Sequence, residues 1–342
     1  MIALLGLLVA LQDADDPRKE FETRAAATAA NDAEARFALA EFAAKHKLWD
    51  LALPTLEKVL EASPDHKAAR ERLGYKRAGK EWKRDDVQGR LWRVRAAVAA
   101  GVAFPARAEL DTWRRKGPSY VKAIDLVLDL DHYVAAALAV DERTGLFEGS
   151  LALKVVFEAA EGKNVPATGW GKAGKGQIDI DVKKLADYND VIAKYDRDKR
   201  AGAEVVVPPA RPEGILVHEL THCFQGGDNA GMPAWFIEGM ATWCAQDGHY
   251  VAFFRHQGQT VKAITDGVRE HKYVYARGWA FFEYADDKHG RDKTRAWIDA
   301  VVRKARRVDE AAAEAFGLTW DELVKEEQAW SAQWVKRYRV KP

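Results

Sequence analysis

The chain has 342 residues, of which 48% are hydrophobic and 31% charged, and its formal net charge is +1. Those proportions belong to a globular protein long enough for two domains. The charge balance argues against a nucleic-acid partner, which leaves a strongly basic domain, and two cysteines, Cys223 and Cys244, are too few for a disulfide framework.

Met1 through Leu11 is apolar, and the chain turns acidic at Asp13. This stretch is too short to span a bilayer but fits the apolar region of a signal peptide, although no basic residues precede it. Residues 1–12 are therefore expected to act as a signal peptide that directs export, to the periplasm or the extracellular space, with a cytoplasmic location as the alternative. No later segment is apolar enough to cross a membrane.

Residues 20 to about 75 are alanine-rich with helical spacing. Ala35, Phe37, Ala38, Ala40, Phe42 and Ala43 mark one helix, and Leu48, Leu51, Ala52, Leu56, Val59 and Leu60 mark a second. Ser63-Pro64-Asp65 breaks the pattern, and a third helix begins near Lys67. The run Leu53-Pro54-Thr55-Leu56-Glu57-Lys58-Val59-Leu60-Glu61-Ala62-Ser63-Pro64-Asp65-His66 resembles a tetratricopeptide-type hairpin. One repeat is present where a solenoid needs about three, so residues 20–95 read as a helical cap, or a module that docks a protein partner, followed by a linker. The basic run Lys76 to Arg95, interrupted by Trp82 and Trp92, reads as a solvated helix face or linker.

From about 118 to 207 the reading turns to β-structure. Ile124–Leu130, His132–Val140 and Leu151–Phe157 are expected strands. Gln177–Val182 and Glu204–Val207 are each offered as an edge strand or an internal strand of a small sheet. The glycine-rich Gly169–Gly176 lacks the P-loop spacing and is expected to form a loop or hairpin tip.

After residue 211 the pattern is almost wholly helical to Tyr338. Pro212 to Gln225 is predicted as a helix, with proline in its first turn and Gly226-Gly227 after its end. Inside it lies His218-Glu219-Leu220-Thr221-His222, the HExxH pattern. On a helix the two histidines project from one face, one turn apart. Imidazoles so placed can hold a zinc ion, with Glu219 in reach of a water beside it. A third protein ligand is then required. Glu238, sixteen positions after His222 in Pro233-Ala234-Trp235-Phe236-Ile237-Glu238-Gly239-Met240-Ala241, can be carried back by a return helix.

HELTH followed by PAWFIEGMA resembles the gluzincin (peptidase MA-like) metallopeptidases, whose second motif reads roughly P-x-W-[LF]-x-E-G-[LMF]-A. The resemblance implies that one zinc ion is bound by His218, His222 and Glu238, with Glu219 as general base. It also implies an α+β, mainly helical, thermolysin-like catalytic domain with a small sheet, here over residues 115–340. With its N-terminal helices, the whole chain is similar to secreted bacterial proteins that place such helices ahead of a peptidase MA-like domain. The metzincin pattern HExxHxxGxxH fits less well: Gln225 stands at the glycine, Asp228 stands in the third-ligand place, and no Met-turn follows.

Tyr273-Val274-Tyr275-Ala276-Arg277-Gly278-Trp279-Ala280-Phe281-Phe282 resembles the Y-x-x-G/S-W-A-F stretch of related proteins. This implies Tyr275 as the donor to the oxyanion of the tetrahedral intermediate, with Tyr273 in reserve, His271 behind it, and an ordinary aromatic core helix as the alternative. Asp247, Asp286 and Asp287 are candidates to orient the histidines. Cys223 and Cys244 could approach each other if the two motif helices pack together, or remain buried and free. The expected function is a zinc-dependent peptidase acting on peptide or protein substrates. An endopeptidase is favoured because no Gly-x-Met-x-Asn element of gluzincin aminopeptidases is present. The alternatives are a zinc hydrolase of non-peptide amides and a non-catalytic scaffold.

Overall fold

The computed structural model describes residues 16–84, 86–158, 167–172, 175–202, 209–226, 231–246, 248–256 and 271–338. The signal-peptide segment, the expected strand at Glu204–Val207, and Asp228 and Asp247 lie outside them. The chain divides into two units, Met1–Gly101 with Gly149–Leu151, and Val102–Glu148 with Ala152–Pro342. Among the described residues, no helix is long and apolar enough to cross a membrane.

Among its described residues, the first unit is helical apart from one ribbon. Its elements are α1 (Pro17–Ala27), α2 (Ala33–Lys45), α3 (Trp49–Ala62), α4 (Lys67–Arg72), the antiparallel pair β1 (Tyr75–Ala78) and β2 (Glu81–Arg84), and α5 (Asp86–Gly101). Asp16 and Asp32 cap α1 and α2, each accepting a backbone N–H that the helix itself leaves unbonded. Helices α2 and α3 pack together, and Leu39, Ala40, Ala43, Ala52, Leu56 and Val59 bury their shared face. Trp92 joins this core edge-on to Trp49, with ring centroids 5.3 Å apart. Much of the basic run after Lys76 is the β-ribbon, where Arg70 and Arg77 lie over the face of Trp82.

The second unit is α+β and mainly helical. It contains β3 (Val102–Ala103), α6 (Arg107–Arg114), α7 (Pro118–Leu128), α8 (Leu130–Thr144), β4 (Leu153–Glu158), β5 (Ala167–Lys172), β6 (Lys175–Asp181) and α9 (Val182–Arg200). These are followed by α10 (Pro212–Gln225), α11 (Ala234–Ala245), α12 (Gly248–His256), α13 (His271–His289), α14 (Arg291–Val302), α15 (Val308–Phe316) and α16 (Trp320–Tyr338). The sheet order is β3-β4-β6-β5, with β4 parallel to β6 and β5 antiparallel to it.

Two expected strands change here. Ile124–Leu130 and His132–Val140 are not strands but parts of α7 and α8. Pro118 opens α7, the Asp129 side chain accepts from the Asp131 N–H to cap α8, and Gly145 at φ 70° closes it. The buried set Tyr133, Val134, Ala136, Ala137 and Val140 has the helical period, which a short apolar run conceals. Strand β6, containing Gln177–Asp181, is internal, flanked by β4 and β5, and β5 ends the sheet among the described residues. The glycine-rich stretch forms the β5–β6 hairpin, in which Lys172 pairs with Lys175.

Two close backbone approaches set the positions of the last helices. Helix α10 packs on β5 and β6, and a Cβ on Gly176 would sit 3.2 Å from the Cβ of Cys223. Helices α11 and α13 cross at Gly239 and Gly278, where a Cβ on Gly278 would lie 2.5 Å from Gly239 Cα. Around this crossing Trp235, Phe236, Phe281, Phe282 and Trp297 form a buried aromatic core. Its rings meet mostly in offset, tilted and edge-to-face contacts, the arrangements that ring quadrupoles favour.

Candidate metal centre

The predicted zinc helix spans the expected residues, Pro212–Gln225, with Pro212 in its first turn and Gly226 at φ 81° ending it. One face of α10 carries His218 and His222, whose rings stand edge-to-face with centroids 4.8 Å apart. Helix α11 begins after Pro233 and brings Glu238 back to the same point. The Nε2 atoms of His218 and His222 lie 3.2 and 3.3 Å from one oxygen, Glu238 Oε2. The three side chains are 10%, 11% and 26% exposed, so the cluster is nearly enclosed but open on the carboxylate side. Glu219, the next residue after His218, is buried in the same helix.

The donor set fits a zinc ion. Imidazole nitrogen and carboxylate oxygen bind zinc at roughly 2.0–2.2 Å in a tetrahedral array, which puts neighbouring ligand atoms about 3.3 Å apart. The two nitrogens stand at that distance from the carboxylate oxygen, and all three ligand atoms lie within 4.8 Å of one another. A third protein ligand with an open side matches the arrangement of catalytic rather than structural sites.

The electrostatics of the cluster are those of a buried imidazolium–carboxylate pair. Burial alone would lower the pKa of His222, but hydrogen bonds and charge from Glu238, the charge of Glu219 and the contact with Gln225 outweigh it and raise it to about 9. Burial would raise Glu238, and the hydrogen bonds and charge of the two histidines instead hold its carboxyl well below the usual range. A metal bound at this cluster would have to compete with that proton.

Tyr275, from α13, lies at the cluster. Its ring is stacked on His218 with centroids 5.5 Å apart at 20°, and on Tyr250 of α12 with centroids 4.6 Å apart. Its hydroxyl hydrogen-bonds Glu238, and burial, followed by the charge of Glu238, pushes its pKa above the ordinary tyrosine value. Tyr275 thus keeps its proton at neutral pH. The segment around it is also core: Trp279, Phe281 and Phe282 are buried in the aromatic cluster. The backbones of Tyr273 and His271 belong to α13, but their side chains lie outside the described ones.

Neither of the two described carboxylates suggested for orienting the histidines does so. Asp286 pairs with Arg291 through both oxygens, and Asp287 accepts from Trp330 Nε1 at 2.8 Å. The group found at His222 is Gln225, whose Oε1 lies 2.9 Å from His222 Nδ1 and whose Nε2 donates to Ile237 O at 2.8 Å. The sequence signal was the i, i+3 spacing of His222 and Gln225 on one helix face. Helix α10 continues through Gln225, so the chain does not turn where a metzincin has its glycine. Cys223 and Cys244 are both free. Cys223 Sγ lies 3.7 Å from Gln177 O on β6, while Cys244 bonds the Thr221 side chain, so the two thiols face different neighbours.

Residues 191–326, from the middle of α9 into α16 and including both motif helices and Tyr275, match the family model BSP, described as "Peptidase of plants and bacteria". No curated protein and no solved structure gives a significant match to the chain. Over that span, the chain is similar to a family of peptidases.

Proposed function

We propose that the chain is a zinc-dependent peptidase, acting as an endopeptidase, with His218, His222 and Glu238 as ligands and Glu219 as general base. The observation that carries this reading is the convergence of two imidazole nitrogens on one carboxylate oxygen, at ligand–ligand spacing, in a span similar to peptidases. Zinc at this point supplies a Lewis acid and brings the pKa of water towards neutrality.

The chain's own groups carry the remaining roles. Glu219 takes a proton from the attacking water and delivers it to the leaving amine. The Tyr275 hydroxyl, which holds its proton, donates to the oxyanion that develops on the scissile carbonyl. Its bond to Glu238 and its stack on His218 hold it beside the reacting centre before substrate arrives. Among the described residues, strand β5 ends the sheet and packs on α10, which supports pairing of an extended substrate along it.

The test is Glu219→Gln in purified protein, with metal analysis and a quenched peptide library. The expected result is about one zinc per chain in both proteins and peptide hydrolysis only in the unmodified one. Hydrolysis undiminished in Glu219→Gln would sink the assignment of the base. Zinc bound by both proteins with no peptide cleaved by either would favour a non-peptide amide substrate or a scaffold.

A further inference from the structure

We infer that Gln225 is a positioning residue that fixes the tautomer of His222 and ties the two ligand-bearing helices together; this rests on the metal-site reading above. Gln225 is 2% exposed, so its carboxamide must find its partners inside the protein. Its Nε2 lies 2.8 Å from the backbone oxygen of Ile237, a group that can only accept. The amide end must therefore face Ile237, which leaves Oε1 facing His222 Nδ1 at 2.9 Å. An amide oxygen only accepts, so Nδ1 carries the hydrogen. In the neutral ring Nε2 then bears the lone pair, and it points at Glu238 Oε2, 3.3 Å away. Two acceptors at that distance repel unless a cation stands between them.

One side chain thus aims His222 and also grips α11 at Ile237, the residue before Glu238. Neutral imidazole bound through one nitrogen needs the other held by a hydrogen-bond acceptor. Carboxylates commonly serve there, and a neutral amide does so without adding negative charge beside Glu219 and Glu238.

The test compares the unmodified protein with Gln225→Ala and Gln225→Glu. Zinc affinity is read by chelator competition, and the His222 Nδ1–H hydrogen bond by its proton shift and exchange protection in zinc-loaded protein. Gln225→Ala is expected to weaken zinc about 10- to 100-fold and to lose the protected Nδ1–H. Gln225→Glu keeps an acceptor at Nδ1 and is expected to recover both relative to alanine, though it places an oxygen against Ile237 O and lowers thermal stability. Unchanged zinc affinity with a protected Nδ1–H in Gln225→Ala overturns the inference. So does a Gln225→Ala protein that is less stable yet keeps the protected Nδ1–H, because that is a purely structural role. If Gln225→Ala fails to fold, Gln225→Glu decides, and loss of the protected Nδ1–H there overturns the inference. Failure of the unmodified protein to bind zinc overturns the metal-site reading and this inference with it, whereas unchanged affinity in Gln225→Ala overturns this inference alone.

Discussion

Replacing Gly278 with alanine adds one methyl group at the point where α11 and α13 touch. The added carbon would sit 2.5 Å from Gly239 Cα and closer still to the Trp235 carbonyl oxygen. Atoms rest in contact at about 3.5 Å, so the helices must separate by about 1 Å. Both obstructing groups are backbone and cannot rotate away. Overpacking of this kind costs roughly 1–3 kcal/mol, and the rigid neighbours put this site at the upper end. Alanine returns up to about 1 kcal/mol through its better helix propensity, leaving a net loss of about 2 kcal/mol. With a urea dependence of about 3 kcal/mol/M, the unfolding midpoint should fall by roughly 0.7 M. The proposed zinc ligands come from α10 and α11, whereas Tyr275 comes from α13. Gly278→Ala should therefore keep its zinc while peptide hydrolysis drops about tenfold or more as Tyr275 moves off Glu238. Urea denaturation, metal analysis and peptide kinetics on one preparation test this. A variant as stable and as active as the unmodified protein would refute the claim that the glycine contact sets the position of Tyr275.

Three further outcomes are expected. Tyr275→Phe preserves the stacked ring and loses the donor, so zinc content should stay near one per chain while kcat falls about 10²–10³-fold; an unchanged kcat removes Tyr275 from the chemistry. Arg277 and Glu327 form an ion pair with side chains 2% and 0% exposed, joined by Ser331; Glu327→Ala leaves a buried guanidinium and should cost about 3–5 kcal/mol by chemical denaturation, and a loss below 1 kcal/mol would contradict that. Burial pushes the Cys244 thiol up to about 12, so reactivity should rise only as pH climbs towards that value; at pH 8 roughly one such thiol in ten thousand is ionised, and rapid native labelling of Cys244 would show that the α11 packing is wrong.

The helix carrying HExxH was legible because its punctuation is local: Pro212 starts it, Gly226 ends it, and the histidine spacing lies inside. Glu238 was legible through its motif, and only the fold shows that it reaches the same point as both histidines. Residues 124–140 read as strands because valine- and leucine-rich runs suit a buried strand and a buried helix alike, and the deciding cap, Asp129, separates two helices rather than two strands. The internal position of β6 depends on β5 pairing outside it, a choice the alternating pattern of Gln177–Asp181 does not express. The bridge made by Gln225 is not legible in the sequence because half of it depends on Ile237 O, twelve residues away on another helix. Likewise, Gly239 and Gly278 look like ordinary helix interior glycines until the crossing brings their backbones into contact.

The central claim is that the His218–His222–Glu238 cluster holds the zinc required for peptide hydrolysis. Stepwise return of zinc to chelator-treated protein, with peptide cleavage followed at each addition, tests it most directly. The account predicts no cleavage without metal and recovery that saturates at about one zinc per chain, with Glu238→Ala failing to recover. Cleavage that persists in the metal-free protein, or zinc binding undiminished in Glu238→Ala, would contradict it.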